Sequence, residues 1–210
     1  MKITWFGHSS FLIENSNNEK ILIDPYDKSL GGCPYRGSVN IATISHNHFD
    51  HNFLEYINPG AVIINSVRFY ENETIKIQGY PSFHDRFMGK KRGDNIIFVI
   101  ETDGYRLCHL GDLGHMLSKE QIDLLGELDV LFIPVDGNFT LDEETAAKLC
   151  KKLNSKIIVP MHYKCDNINY PCHGIEKFIA LMKNAMNINS NYFIFDGSID
   201  KNNQVFILKP

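Results

Sequence analysis

The feature that most constrains this chain is the run HNHFDH at positions 46–51, which holds three imidazoles and one carboxylate. Burying these groups together costs free energy unless a cation holds them. Alternate residues of an extended segment point the same way, so His46 and His48 can converge on one ion, while Asp50 and His51, beyond a bend, reach a second. Imidazole and carboxylate ligands suit zinc, manganese or iron. A solvated polar loop with a helix cap at Asp50 is the alternative interpretation.

Length and charge narrow the class of protein. With 210 residues, of which 43% are apolar, the chain is expected to form one domain over residues 1–210. A net charge of -4 argues against a dedicated nucleic-acid binder. The first residues do not resemble a signal peptide, no apolar run approaches a membrane span, and the five cysteines are scattered. A cytoplasmic protein is therefore expected.

Apolar and alternating segments predict a series of short strands. These lie at residues 2–6, 11–14, 20–24, 41–45, 61–64, 74–78, 95–102, 105–109, 129–135, 156–161, 192–195 and 204–208. The first three predict an antiparallel meander, Asp103-Gly104 predicts a hairpin turn, and the last two strands predict a terminal hairpin. Helices are expected at residues 52–57, 118–125, 141–153 and 174–183.

Several predicted strands end in a residue that can bind a metal or support a ligand. Asp24, His46, Asp136 and His162 each follow an apolar strand. Side chains gathered along one edge of packed sheets would form a single cleft with fixed geometry. Gly111-Asp112 follows another strand, where glycine allows close approach of the backbone and the carboxylate can offer one oxygen to each of two ions.

The pattern His-x-His-x-Asp-His after an apolar strand resembles the metal-binding signature of the metallo-β-lactamase superfamily of hydrolases. The resemblance implies an α/β fold, the αββα four-layer sandwich, with two divalent cations. It implies that one ion is held by His46, His48 and His84, that the other is held by Asp50, His51 and His162, and that Asp112 bridges the two. It also implies that Asp24 buttresses the metal loop, as a carboxylate that orients a ligating imidazole.

Four segments resemble a compact branch of this superfamily that contains L-ascorbate-6-phosphate lactonase and metal-dependent hydrolases. They are residues 7–11 (GHSSF), 22–25 (LIDP), 109–112 (HLGD) and 160–163 (PMHY). The resemblance implies that a metal-bridged hydroxide, oriented by Asp50, cleaves an ester, lactone or phosphodiester of a small molecule, which can itself be phosphorylated. Zn²⁺ is the expected ion, with Mn²⁺ or Fe²⁺ as alternatives. The alternative functions are a phosphodiesterase acting on a nucleotide or phospholipid, and a non-catalytic metal-binding protein on the same fold.

Candidate substrate contacts are Arg92, Asn138 and Tyr163. Arg92 suits a phosphorylated substrate, and a solvated loop charge is its alternative interpretation. The remaining histidines are less informative: His8 either bonds to nearby backbone or lines the site, and His109 and His115 are expected to be structural or on the surface. The oligomeric state is left open.

Overall fold

The computed structural model describes residues 1–166 and 168–210. The strands within these ranges are β1 (Lys2–Trp5), β2 (Phe11–Glu14), β3 (Lys20–Ile23), β4 (Ile41–Thr43), β5 (Val62–Ile64), β6 (Phe69–Glu71), β7 (Ile75–Phe83), β8 (Asp94–Thr102), β9 (Tyr105–His109), β10 (Val130–Pro134), β11 (Ile157–Met161), β12 (Ala185–Asn187), β13 (Tyr192–Ile194) and β14 (Gln204–Ile207). The helices are α1 (Lys119–Leu125), α2 (Glu143–Leu153) and α3 (Glu176–Met182), with a 3-10 turn at Lys28–Leu30.

The first sheet has the strand order β13-β1-β2-β3-β4-β5. Strands β1 to β3 pair antiparallel, which confirms the predicted meander. Strands β3, β4 and β5 pair parallel, so their carboxyl ends lie at one edge. This edge receives the run at residues 46–51, because that run follows β4 directly.

The second sheet has the order β12-β14-β11-β10-β9-β8-β7-β6. Strands β9, β10 and β11 are parallel, and β7, β8 and β9 are antiparallel. Thr102 pairs with Tyr105 across the predicted Asp103-Gly104 turn, so that hairpin is confirmed. The parallel strands end at the same edge as β4, because residues that follow β4, β9 and β11 meet there.

The core lies between the two sheets and follows the period of two expected for strands. On β2, Phe11 and Ile13 face this core, whereas Leu12 faces the opposite side of the sheet. All five positions of β10 are buried because helices cover the outer face of the second sheet. Helix α2 packs on β10 and against α3, and the Leu125 carbonyl of α1 accepts a hydrogen bond from Arg106 of β9.

The predicted helix at residues 52–57 is wrong. The chain makes turns there. The Phe53 N–H donates a hydrogen bond to the Pro25 carbonyl, and the Ile57 N–H donates one to the Leu54 carbonyl, both at 2.9 Å. Six residues form too few intrahelical hydrogen bonds to offset the cost of nucleation. Ile57 instead packs with Leu12 and Leu22, so irregular chain covers the outer face of the first sheet.

The predicted hairpin between residues 192–195 and 204–208 is also wrong. Strand β13 pairs with β1 in the first sheet, whereas β14 lies between β11 and β12 in the second. The intervening chain crosses from one sheet to the other. Across the ranges that the structure describes, no helix is both long enough and apolar enough to cross a membrane.

Candidate metal centre

Three histidines from both sheets form a first group of possible ligands. His46 and His48 follow β4 of the first sheet, and His84 follows β7 of the second. Their ring centroids are 4.5 to 5.1 Å apart, and one nitrogen of each ring lies within 4.8 Å of the others. The structure thus brings together the three histidines that the sequence assigns to one ion.

A second group combines the end of the metal loop with the end of β11. Asp50, His51 and His162 are buried, and each offers one atom within 4.8 Å of the others. His51 Nε2 lies 3.8 Å from Asp50 Oδ2. His8, from the turn between β1 and β2, belongs to this group as well.

Asp112 lies between the two groups. Its Oδ2 atom is 3.1 Å from Nε2 of His84 and of His162, 3.3 Å from Nε2 of His51 and 3.9 Å from Nε2 of His46. One carboxylate oxygen therefore faces imidazoles of both groups, which is the placement expected of a bridging ligand.

The turn before Asp112 requires glycine. Gly111 has a φ of 55°, and a Cβ there would lie 2.3 Å from Asn95 Oδ1 and 2.7 Å from Ser45 Cβ. The Asp112 N–H donates to the same Asn95 oxygen at 2.9 Å. Close approach of the backbone at Gly111 thus places Asp112 at the centre of the site.

Buried nitrogens without partners indicate that the site fits cations. The Nε2 atoms of His46, His51 and His162 are buried and find no hydrogen-bond partner in the part of the chain that the structure describes. Asp112 Oδ2 lies 3.1 to 3.9 Å from these three atoms and forms no hydrogen bond with them. Each buried polar atom left unpaired costs about 1–3 kcal/mol. A divalent ion would satisfy these nitrogens and the Asp112 carboxylate together.

The carboxylates dominate the electrostatics. Burial opposes the charged form of Asp112, but the imidazoles of His162 and His51 outweigh it and hold its pKa well below the usual range. Burial likewise opposes charge on His51, yet the carboxylates of Asp112 and Asp24 raise its pKa to about 10. Burial and the charge of His51 lower the pKa of His46 to about 2. Without metal, the site therefore holds protons that a divalent cation would displace.

Asp24 holds the ligand rings from behind, where the resemblance places it. Its Oδ2 atom accepts from His51 Nδ1 at 2.9 Å and from the Ser45 hydroxyl at 2.6 Å. The Ser45 oxygen in turn lies 2.9 Å from His46 Nδ1. With Asp24 ionised, this network places the ring protons on Nδ1 and leaves Nε2 of both histidines free to bind metal.

Asp136, at the end of β10, plays the corresponding part for His162. Its Oδ2 atom lies 3.2 Å from His162 Nδ1, while Oδ1 accepts the backbone N–H groups of Asn138 and Thr140 at 3.0 Å. The sequence placed Asp136 at the strand edge that forms the cleft but gave it no role in the site. The signal was available, because Asp24 also follows an apolar strand.

The candidate substrate contacts lie in different places. Arg92 lines a cleft of about 580 Å³ beside His46 and His48, and its guanidinium lies 4.6 Å above the Phe139 ring. Asn138 is exposed and its amide donates to the Pro171 carbonyl at 3.0 Å. Tyr163 is in the core, with its ring 5.3 Å from that of Trp5. Tyr163 as a substrate contact is therefore wrong.

The other histidines and two further residues complete the surroundings. His109 is buried with Nε2 3.0 Å from the Ser9 carbonyl, and His115 accepts the Phe83 N–H, so both are structural, as expected.

Asn95 and Tyr170 were not found from the sequence. Tyr170 has its ring 5.2 Å from that of His8, but it lies in an irregular segment whose sequence pattern gives no signal.

Comparison with known proteins assigns the chain to a family. A family described as the beta-lactamase superfamily domain matches residues 2–162. The chain is 30% identical over 199 residues to a UPF0173 metal-dependent hydrolase of Pelotomaculum thermopropionicum, covering 78% of this chain and 84% of that protein. The chain belongs to the metallo-β-lactamase superfamily. Within it, the chain belongs to the UPF0173 metal-dependent hydrolase family.

Solved structures of the metallo-β-lactamase fold agree. A Thermotoga maritima protein of this superfamily, assigned as a Zn-dependent hydrolase, superposes with a TM-score of 0.83 and 31% identity, covering 99% of this chain and 98% of that one. A protein from Parabacteroides distasonis superposes with a TM-score of 0.71 and 20% identity, covering 99% of this chain and 92% of that one. At this identity, the likeness supports the fold alone. The predicted fold class is confirmed.

Proposed function

We propose that this member of the metallo-β-lactamase superfamily is a hydrolase that uses two divalent ions to cleave an ester, lactone or phosphodiester bond of a small molecule. The observation that supports two ions is the position of Asp112 Oδ2, which lies 3.1 Å from a nitrogen of each histidine group. A single ion could not be shared by seven side chains distributed on both sides of one carboxylate.

The residues divide between the ions as follows. His46, His48 and His84 would hold one, Asp50, His51 and His162 would hold the other, and Asp112, which lies between the two groups, would serve both. Neutral imidazoles and carboxylates suit Zn²⁺ best, with Mn²⁺ or Fe²⁺ as alternatives. Cys172 does not enter the set, because its sulfur is 3.5 Å from Nδ1 of His162, on the side of the ring away from Asp112.

The bound ions would supply a nucleophile at neutral pH, from water, and would polarise the bond to be cleaved. Asp50 is buried beside this point and would accept a hydrogen bond from the attacking water, which fixes its direction of attack. Asp24 and Asp136 would keep His51 and His162 in their binding orientation.

The cleft beside His46 and His48 is the proposed substrate site. Its volume of about 580 Å³ suits a small molecule. Polar side chains line it, among them Asn65, Ser82 and Arg92. Arg92 supplies a cation at the margin of the cleft, where its guanidinium lies over the Phe139 ring and can bind an anionic group such as a phosphate. A sugar-phosphate lactone and a phosphodiester are therefore both suitable test substrates.

The test is metal analysis followed by hydrolysis of a small panel: a sugar-phosphate lactone, an aryl ester and a bis-aryl phosphodiester, each with Zn²⁺ and with Mn²⁺. We expect two ions per chain and turnover of at least one substrate, lost in Asp50→Asn. The matched control is Asp123→Asn, which changes an exposed carboxylate on α1, outside this cleft. Two bound ions without turnover of any substrate, or turnover unchanged in Asp50→Asn, would contradict the proposed catalytic role and favour a metal-binding protein.

A further inference from the structure

His8 lies in the turn between β1 and β2, and the surrounding chain fixes its backbone. Its carbonyl accepts the His162 N–H at 3.1 Å and the Trp5 indole N–H at 3.0 Å. Its φ is 52°, in the left-handed region that a histidine seldom adopts. The fold therefore holds this side chain in an unfavourable backbone conformation at one position, next to His162.

The imidazole of His8 is buried without a hydrogen-bond partner. It is 2% exposed, and neither ring nitrogen has a partner within residues 1–166 and 168–210. Its ring centroid lies 4.2 Å from that of His162 and 4.7 Å from that of His51. Two unpaired ring nitrogens at this depth cost several kcal/mol, on the order of 1–3 kcal/mol each, unless a ligand satisfies them.

The distance to Asp50 distinguishes a shared ion from a hydrogen bond. His8 Nε2 is 3.4 Å from Asp50 Oδ2. A charged N–H···O bond is normally about 2.7–2.9 Å long. Two atoms that each lie about 2.0–2.2 Å from one ion at tetrahedral or octahedral angles are roughly 3.0–3.5 Å apart. The observed separation matches two ligands of one ion.

We infer that His8 is a further ligand of the second ion, which would then be held by His8, Asp50, His51 and His162 together with Asp112. This assignment rests on the proposed function, because it requires that a second ion binds. It has a consequence for the reaction. With five protein ligands, the second ion has less space for substrate than the first, whose ligands His46 and His48 line the cleft.

The experiment is metal titration of the metal-free protein and of two variants. His8→Asn suits the site because asparagine tolerates a positive φ and cannot replace an imidazole as a ligand. The control is His115→Asn, which removes a half-buried histidine whose ring nitrogens bond to backbone groups, the Phe83 N–H and the Met116 carbonyl. Calorimetry with Zn²⁺ counts the ions, and absorption spectra of the Co²⁺ form report the ligands of each site. Thermal unfolding of the metal-free variants checks that they fold.

We expect two ions in the wild type and in His115→Asn. In His8→Asn, we expect one of the two affinities to fall by about tenfold or more, with a changed Co²⁺ spectrum. Affinities and spectrum equal to those of His115→Asn would overturn the assignment while leaving the proposed function intact. His8→Gln separates the remaining alternative: if it restores both affinities and the wild-type Co²⁺ spectrum, His8 acts through a hydrogen bond to Asp50 and is not a ligand. A wild type that binds fewer than two ions would overturn the proposed function first.

Discussion

Replacing Asp24 by asparagine should weaken both metal sites at once. The carboxylate is 1% exposed, and it accepts from His51 directly and from His46 through Ser45. Asparagine keeps the shape and can keep the bond from the Ser45 N–H to Oδ1, which is 2.7 Å long in the native protein. Its NH₂ group, however, would face the Ser45 hydroxyl and His51 Nδ1 with a donor where both now find an acceptor.

The expected result follows from proton positions. Because the NH₂ group donates to Nδ1 of His51, that ring would carry its proton on Nε2, the atom that faces Asp112. The Ser45 hydroxyl would accept from the NH₂ group and donate to Nδ1 of His46, so His46 would also carry its proton on Nε2. A hydrogen bond to a charged group contributes about 1.5–3 kcal/mol, and 1.4 kcal/mol is a factor of ten, so each affinity should fall about tenfold to a hundredfold.

Competition titration against a chromophoric chelator measures both affinities. The matched control is Asp129→Asn, before β10, where the carboxylate pairs with Lys156 at 2.8 Å on the surface. That pair contributes about 0–1 kcal/mol to stability and should leave metal binding unchanged. Wild-type affinity at both sites in Asp24→Asn, in a folded protein, would refute the argument from ring orientation.

Three further results are expected. Asp136→Asn should weaken one of the two affinities and spare the other, because His162 is the one proposed ligand that Asp136 contacts among the described residues; equal losses at both sites would contradict the division of ligands. Gly111→Ala should lower both the melting temperature and the metal content, because the new Cβ would lie 2.3 Å from Asn95 Oδ1 at a residue with a φ of 55°. Gly104→Ala controls for backbone strain alone, because Gly104 has a φ of 77° but a Cβ there would meet nothing within 4 Å. Removing metal with a chelator should lower the melting temperature by roughly 5–10 °C per ion if each ion is present at about one hundred times its Kd. Calorimetry with and without added Zn²⁺ tests this. An unchanged melting temperature would mean that no bound ion stabilises the fold.

The positions of the possible ligands could be predicted because they depend on local sequence. Each of His46, Asp112 and His162 follows a strand whose apolar residues identify it, and strand ends at one edge bring such side chains together. The residue after a ligand is harder to place. Strand β11 ends at Met161 and His162 has a φ of 53°, so the backbone turns at the ligand, and Tyr163 packs in the core instead of facing the site.

Long-range pairing could not be predicted. The last two predicted strands are neighbours in sequence, which favoured a hairpin between them. Strand β13 instead completes the first sheet beside β1, nearly the whole chain away in sequence. His8 gave a related difficulty: its turn is evident from the sequence, but only the packing of the turn against His162 shows that the imidazole is buried in the site.

The spread of the metal-binding side chains along the chain also affects how the protein matures. The proposed ligands begin at His46 and end at His162, at the end of β11, and the inferred one at His8 precedes them. Domains are synthesised from the N-terminus at about 5–20 residues per second, so the second ion cannot find its full set of ligands until β11 has left the ribosome and paired with β10. Metal capture at that ion would therefore be a late event in biogenesis.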